Sequence, residues 1–287
     1  WGRSRRSPSL GQVNDGVGPQ QLDALVPAAI ARRAETVGVA KAHLPLAQMA
    51  VLGVLGGAFI GLGAMFSTVV TSGGGTSFGP TRLLGALVFS LGLILVVLAG
   101  AELFTGNNLM VMAWAGGRLS LARLLRAWAI VYVTNFVGAA ATAAIVVLSD
   151  QYRQGDGVVG RRMLDIGLAK TDLGFGQAVL LGVLANALVC LAVWLTLAAH
   201  TLVDKVMAVV PPVAAFVAAG FEHSIANMYF LPAALFVKAW APDGFVERDG
   251  VKLSYEIYGD RAETIFFTPP WSIVHSRSYK AQVPYFS

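Results

Sequence analysis

Apolar residues in this chain come in long runs, parted by short stretches in which glycine, arginine and aspartate gather. Five runs, at about 46–70, 83–115, 124–148, 175–199 and 206–239, reach the roughly 20 residues that a helix needs to cross a hydrocarbon core. The second and fifth are too long for one straight crossing, and both carry the same residues. Gly100-Ala-Glu102-Leu-Phe-Thr-Gly106-Asn107 and Gly220-Phe-Glu222-His-Ser-Ile-Ala226-Asn227 share Gly-x-Glu-x-x-x-small-Asn at an offset of 120 residues (220 − 100). Such a repeat within apolar sequence predicts two related halves, each with one broken helix and a solute path between them.

Ahead of the first run, Leu25, Ala29 and Ile30 recur at helical spacing opposite Arg32, Arg33 and Lys41. This predicts an amphipathic helix over 21–43 lying on the membrane surface. Residues 1–20, rich in Gly, Ser, Pro and Arg, show no periodicity and read as disordered. The spanning part then occupies 44–242, and its first run carries Gly53, Gly57 and Gly61 on one face, a ladder suited to internal packing or to a subunit contact. Past Asp243 the period changes. Phe245 to Tyr258 alternates around Asp249-Gly250, and Thr264 to Phe267 forms a further strand, so 243–287 reads as a short β-rich segment with too few strands for a core of its own.

Composition narrows the class. With 56% hydrophobic and 13% charged residues the chain departs from soluble domains, which carry about 25% charged residues. A net charge of +5 would suit nucleic acid, but the basic residues lie between the apolar runs and follow no recognition motif, so no nucleic-acid partner is expected. They read as topology signals. Arg3, Arg5, Arg6, Arg32, Arg33 and Lys41 precede the first run and Arg118 and Arg123 follow the second, against Arg82 alone between them, which places the N-terminus in the cytoplasm. The connection 149–174, read as a loop, runs against this rule with Arg153, Arg161, Arg162 and Lys170, though four aspartates offset them in net charge. The single Cys190 excludes an intrachain disulfide and a multi-cysteine metal site, and no cofactor is expected. Gly75-Thr-Ser77-Phe-Gly79 fits a nucleophile pattern without the strand that must precede it, and reads as a turn. Trp1 and the closing Tyr-Phe-Ser suggest a fragment at both ends.

Glu102-Leu-Phe-Thr-Gly-Asn107, Asn186 to Trp194 and Phe216 to Met228 resemble the three signature blocks of the formate/nitrite transporter family, and Asp23 to Glu35 resembles its N-terminal helix. The likeness runs from about residue 21 to Pro242. It implies an all-α membrane protein, an aquaporin-like inverted-repeat bundle with broken helices 2 and 5. Each subunit of a homo-pentamer would have its own pore of six spans. Here the sixth span is absent, because the β-rich segment takes its place, and the pentamer is expected only with that span restored. The resemblance also implies that Leu103, Phe104 and Val189 form an inner constriction and Phe89, Leu93 and Phe216 an outer one.

Thr105 and His223 occupy the two breaks, and His223 is the only histidine deep in an apolar run. An intramembrane ionisable group marks a functional site by default, though a structural imidazole bonded to backbone is the alternative. A weak monoacid, formate, nitrite or a similar small monocarboxylate or inorganic anion, would be hydrogen-bonded or protonated at His223 and Thr105, then cross the apolar rings at lower cost than a bare anion. Glu102 and Glu222 read as structural, accepting backbone N–H groups freed at the breaks, and Asn107, Asn186 and Asn227 as doing the same for carbonyls. Lys170 would stand at the outer vestibule, or be a surface lysine. This describes a multi-pass conduit in a bacterial inner membrane, with no catalytic residue. The competing class is a membrane-anchored enzyme. Residues 244–287, with Thr268-Pro-Pro-Trp271, resemble the start of an α/β-hydrolase domain of the kind found beside adenylate cyclase domains, whose catalytic part would lie beyond Ser287. A non-functional fragment is the third reading.

Overall fold

Sequence that is apolar on every side leaves backbone N–H and C=O groups only one another as partners, so it becomes helix. The computed structural model describes residues 25–73, 77–241, 247–248 and 251–252, and each apolar run in it is helical. The order is α1 (Pro27–Ala42), α2 (Leu46–Val70), α3 (Phe78–Ala99), α4 (Phe104–Asn107), a 3-10 turn (Asn108–Met110), α5 (Val111–Ala115), α6 (Leu121–Leu148), a second 3-10 turn (Gln151–Arg153), α7 (Val158–Thr171), α8 (Phe175–Ala198), α9 (Leu202–Ala219) and α10 (Ser224–Trp240). Among the described residues five helices, α2, α3, α6, α8 and α9, are long and apolar enough to span a membrane. Three, α3, α6 and α9, start earlier than the apolar pattern suggests, and for α6 and α9 the side-chain caps lie upstream. The Ser120 hydroxyl accepts the Arg123 N–H, and Thr201 and Asp204 form a capping box.

The second and fifth runs each leave helix and re-enter it. Gly100 ends α3 at φ 70° and Gly220 ends α9 at φ 77°, a left-handed conformation that side chains resist. The next N–H then reaches back six residues inclusive, Ala101 to the Val96 carbonyl and Phe221 to the Phe216 carbonyl, both at 3.0 Å, the Schellman closure in duplicate. Three residues later helix resumes, at Phe104 and at Ser224.

The connection 149–174 is not a loop, as its charge suggested. It contains α7, whose buried residues Val159, Gly160, Met163 and Gly167 follow helical spacing. α7 repeats α1: Arg-Arg-x-x-x-x-Gly-x-Ala-Lys occurs at 32–41 and at 161–170, an offset of 129 (161 − 32). Each of these helices lies over the half-helix of its own repeat through a glycine, Gly38 against Met110 and Ala113, Gly167 against Ala234. Each also reaches the other half, Arg33 donating to the Leu197 carbonyl of α8 at 3.1 Å and Arg162 to the Thr71 hydroxyl beyond α2 at 3.3 Å.

The α2 glycine ladder is internal packing. A Cβ at Gly53 or Gly57 would run into Thr134 or Asn135 of α6, and one at Gly61 would meet Thr142 and Tyr229 at 3.1–3.2 Å. Past α10, β1 (Glu247–Arg248) and β2 (Val251–Lys252) pair antiparallel. The expectations for residues 1–20 and for the tail beyond Lys252 lie outside the described residues.

Candidate functional site

The two breaks bring together residues 118 positions apart: Thr105 Oγ1 and His223 Nε2 lie 3.1 Å from each other, both side chains buried. His223 is the N-cap of α10. Its Nδ1 accepts the Ala226 N–H at 3.1 Å, which leaves the ring proton on Nε2, facing the threonine oxygen. With its acceptor used by the cap, the ring presents a donor, and the Thr105 hydroxyl is free to offer its own proton elsewhere. Phe216 stacks on the imidazole at 5.6 Å and 15°, and Phe89 stands edge-on to both rings. A cavity of about 540 Å³ opens beside the pair, bordered by Phe104, Asn186, Glu222 and Ser224.

Of the residues expected at the constrictions, Leu103, Val189, Phe89, Leu93 and Phe216 are all buried in one apolar cluster, with Phe104 packed against it. The Phe104 ring also leans on α6, edge-on to Trp128 at 6.2 Å and to Tyr132 at 4.9 Å.

The carboxylates at the breaks do not take up freed backbone N–H groups. Glu102 accepts from Lys41 Nζ at 2.7 Å and from Asn107 Nδ2 at 2.6 Å, and Glu222 accepts from Lys170 Nζ at 2.7 and 3.0 Å and from Asn227 Nδ2 at 2.8 Å. Each half therefore holds a Lys–Glu–Asn triad, in which the surface helix supplies a cation to a carboxylate that burial alone would penalise. Asn107 and Asn227 accordingly bond carboxylates, not carbonyls. Asn186 points its Nδ2 to Cys190 Sγ at 3.6 Å, and its Oδ1, like that of Asn227, is buried without a hydrogen-bond partner among the described residues. Lys170 is no plain surface lysine: its side chain is 15% exposed and its ammonium lies 5.5 Å from the Phe230 ring. On the same helix, burial pulls the Arg162 guanidinium below its usual range, with Arg82 adding to the effect and Asp165 opposing it.

The backbone freed at the first break is satisfied by Asn135 of α6. Its Nδ2 donates to the carbonyls of Gly53 at 2.7 Å and Glu102 at 2.9 Å, and its Oδ1 accepts the Phe104 N–H at 2.9 Å.

The chain matches the family model described as "Formate/nitrite transporter" over residues 28–256. It belongs to the formate/nitrite transporter family. It is similar to "Formate channel FocA" of Escherichia coli (strain K12), 42% identical over 225 residues, which are 78% of this chain and 79% of the relative. It is also similar to "Uncharacterized transporter YrhG" of Bacillus subtilis (strain 168), 39% identical over 226 residues, 77% and 83% of the two chains. Among solved structures, one titled "Pentameric formate channel with formate bound" has a TM-score of 0.67 at 43% identity and covers 70% of this chain and 79% of that one. As a member of this family the chain is a multi-pass membrane protein. The family match extends past Pro242 over the start of the β-rich segment, and the likeness of that segment to an α/β-hydrolase finds no support.

Sequence reading missed Asn135 and the role of Lys41. A lone asparagine in an apolar helix has no spacing that singles it out. Lys41 was visible as a topology charge, and aligning it with Lys170 through the 129-residue repeat would have marked both as partners of the repeated glutamates.

Proposed function

We propose that the chain is a conduit for small monovalent anions or their conjugate acids, formate and nitrite foremost, and not an enzyme. The observation that carries this reading is the Thr105–His223 contact beside a cavity and within an apolar cluster. The ring, capped at Nδ1, acts as a hydrogen-bond donor together with the Thr105 hydroxyl, and a solute held by both leaves water without an unpaired charge. The two groups of apolar residues, Leu103, Phe104 and Val189 on one side and Phe89, Leu93 and Phe216 on the other, bound the path and exclude the hydration shell. Lys41 and Lys170, each bonded to the glutamate of a break, keep these carboxylates from repelling the anion.

Assembly follows the pentamer of the solved formate channel, and the location is a bacterial inner membrane. Orientation rests on Arg32, Arg33, Lys41, Arg118 and Arg123, which precede the first apolar run or follow the second and belong in the cytoplasm.

Uptake of formate and of nitrite into proteoliposomes at several pH values, with His223→Ala beside the parent, tests the reading. The variant is expected to lose at least about tenfold in rate, the effect of one hydrogen bond to a charged solute. Equal uptake by parent and variant at every pH would remove His223 from the path.

A further inference from the structure

Both breaks turn through a left-handed glycine, yet the second has a clamp that the first lacks. Arg82, in the first turn and a half of α3, sends Nε to the carbonyl of Ala218 at 2.8 Å and Nη2 to that of Val217 at 3.4 Å. Both carbonyls belong to the last turn of α9, where a cation suits the dipole; that of Val217 also accepts the Gly220 N–H at 3.1 Å. Gly220 is required for its φ of 77°, and Nη2 lies 2.5 Å from where a Cβ on it would stand, so a side chain there would also push the guanidinium aside. The Phe78 ring covers the guanidinium at 5.3 Å. The residue at the matching place on α9 is Leu202 (82 + 120), which supplies no such fork to the first break.

We propose that Arg82 is the positioning residue of the second break: it fastens the last turn of α9 to α3 and thereby sets the Phe216 ring and the His223 imidazole for the passing solute. This rests on the pathway described above. The line of contact is short. The Phe216 carbonyl receives the Phe221 N–H at 3.0 Å, the Phe216 ring stacks on His223, and His223 in turn caps α10. A planar guanidinium reaches two carbonyls at once, whereas an ammonium offers a point charge to one of them.

Amide hydrogen exchange of the chain in lipid nanodiscs tests the clamp without reference to transport. Arg82→Leu is expected to speed exchange across 216–223 about tenfold and Arg82→Lys about threefold, the scale of losing or weakening a charged hydrogen bond. Exchange over 100–107 stays at the parental rate, and α2 amides serve as the check on folding. Asn135→Leu is expected to give the reverse pattern, loosening 100–107 alone. Unchanged exchange over 216–223 in Arg82→Leu, or an equal rise over 100–107, overturns the proposal. In uptake, Arg82→Leu is expected to lower the maximal rate at a kept half-saturation, with partial recovery in Arg82→Lys. A raised half-saturation at a kept maximal rate would make Arg82 an anion-collecting group and overturn the positioning role. Because exchange is read in the absence of solute, it still decides the clamp should His223→Ala prove neutral.

Discussion

At Gly100 the turn is closed from within its own half: Asn135, fully buried on α6, satisfies three backbone groups, and the Lys41–Glu102–Asn107 triad lies beside it. At Gly220 the triad is copied, but the turn is held from the other half by a cation, and the helix that follows is capped by the imidazole itself. The same backbone geometry is thus supported by a neutral, dry network in one place and by a half-exposed arginine and a dual-purpose histidine in the other. The difference separates stability from function. The first break divides its duties between side chains, Asn135 holding the turn and Thr105 facing the cavity, whereas His223 at the second must both hold the helix and face the cavity.

Neutralising the carboxylates probes that contrast most strongly. Glu222→Gln strands Lys170, whose side chain is only 15% exposed, and is expected to cost about 3–5 kcal/mol. Glu102→Gln strands Lys41, 29% exposed, and is expected to cost clearly less because solvent screens the cation it leaves. Thermal unfolding in detergent measures both, and equal losses would erase the distinction between the two triads.

Added methyl groups give a smaller effect of opposite sign in the two halves. Gly57→Ala drives a Cβ into the Asn135 backbone and should lower stability by about 1–3 kcal/mol. Gly182, the counterpart of Gly53 at the 129-residue offset (182 − 53), has Glu222 O as its nearest neighbour at 3.8 Å, and Gly182→Ala should raise stability by about 0.4–1 kcal/mol. Denaturant titration of the two variants tests this, and destabilisation by both would mean that α8 is as tightly covered as α2.

The smallest effect on stability separates the two duties of His223. Asparagine caps helices well, so His223→Asn should keep stability within about 0.5 kcal/mol of the parent while uptake collapses, whereas His223→Ala also loses about 1 kcal/mol of capping. If His223→Asn carried formate at the parental rate, the imidazole would be a cap and nothing more.

Hydropathy made the five spans legible, and the repeated Gly-x-Glu made the two interruptions legible, because both signals follow from what a bilayer forbids. The amphipathic α7 was hidden: its charges resemble a connection, and only its register with α1 betrays it. The contacts of Glu102 and Glu222 were misjudged for a related reason. Their partners lie 61 and 52 residues away, on helices whose placement is a matter of tertiary packing. The pairing of Thr105 with His223 was foreseen from the family likeness. The histidine's role as a cap was not, since a histidine is not a usual cap residue.

The ownership of the two fastenings gives the chain a direction in time. Everything that closes the first turn has left the ribosome once α6 is made, so the first three crossings can settle in the bilayer with their polar backbone already paired. The second turn needs α3 in place before Arg82 can meet it. The later half is therefore assembled on the earlier one as a template, and a defect at Asn135 should be felt at both turns during biogenesis, while a defect at Arg82 should be felt only at the last.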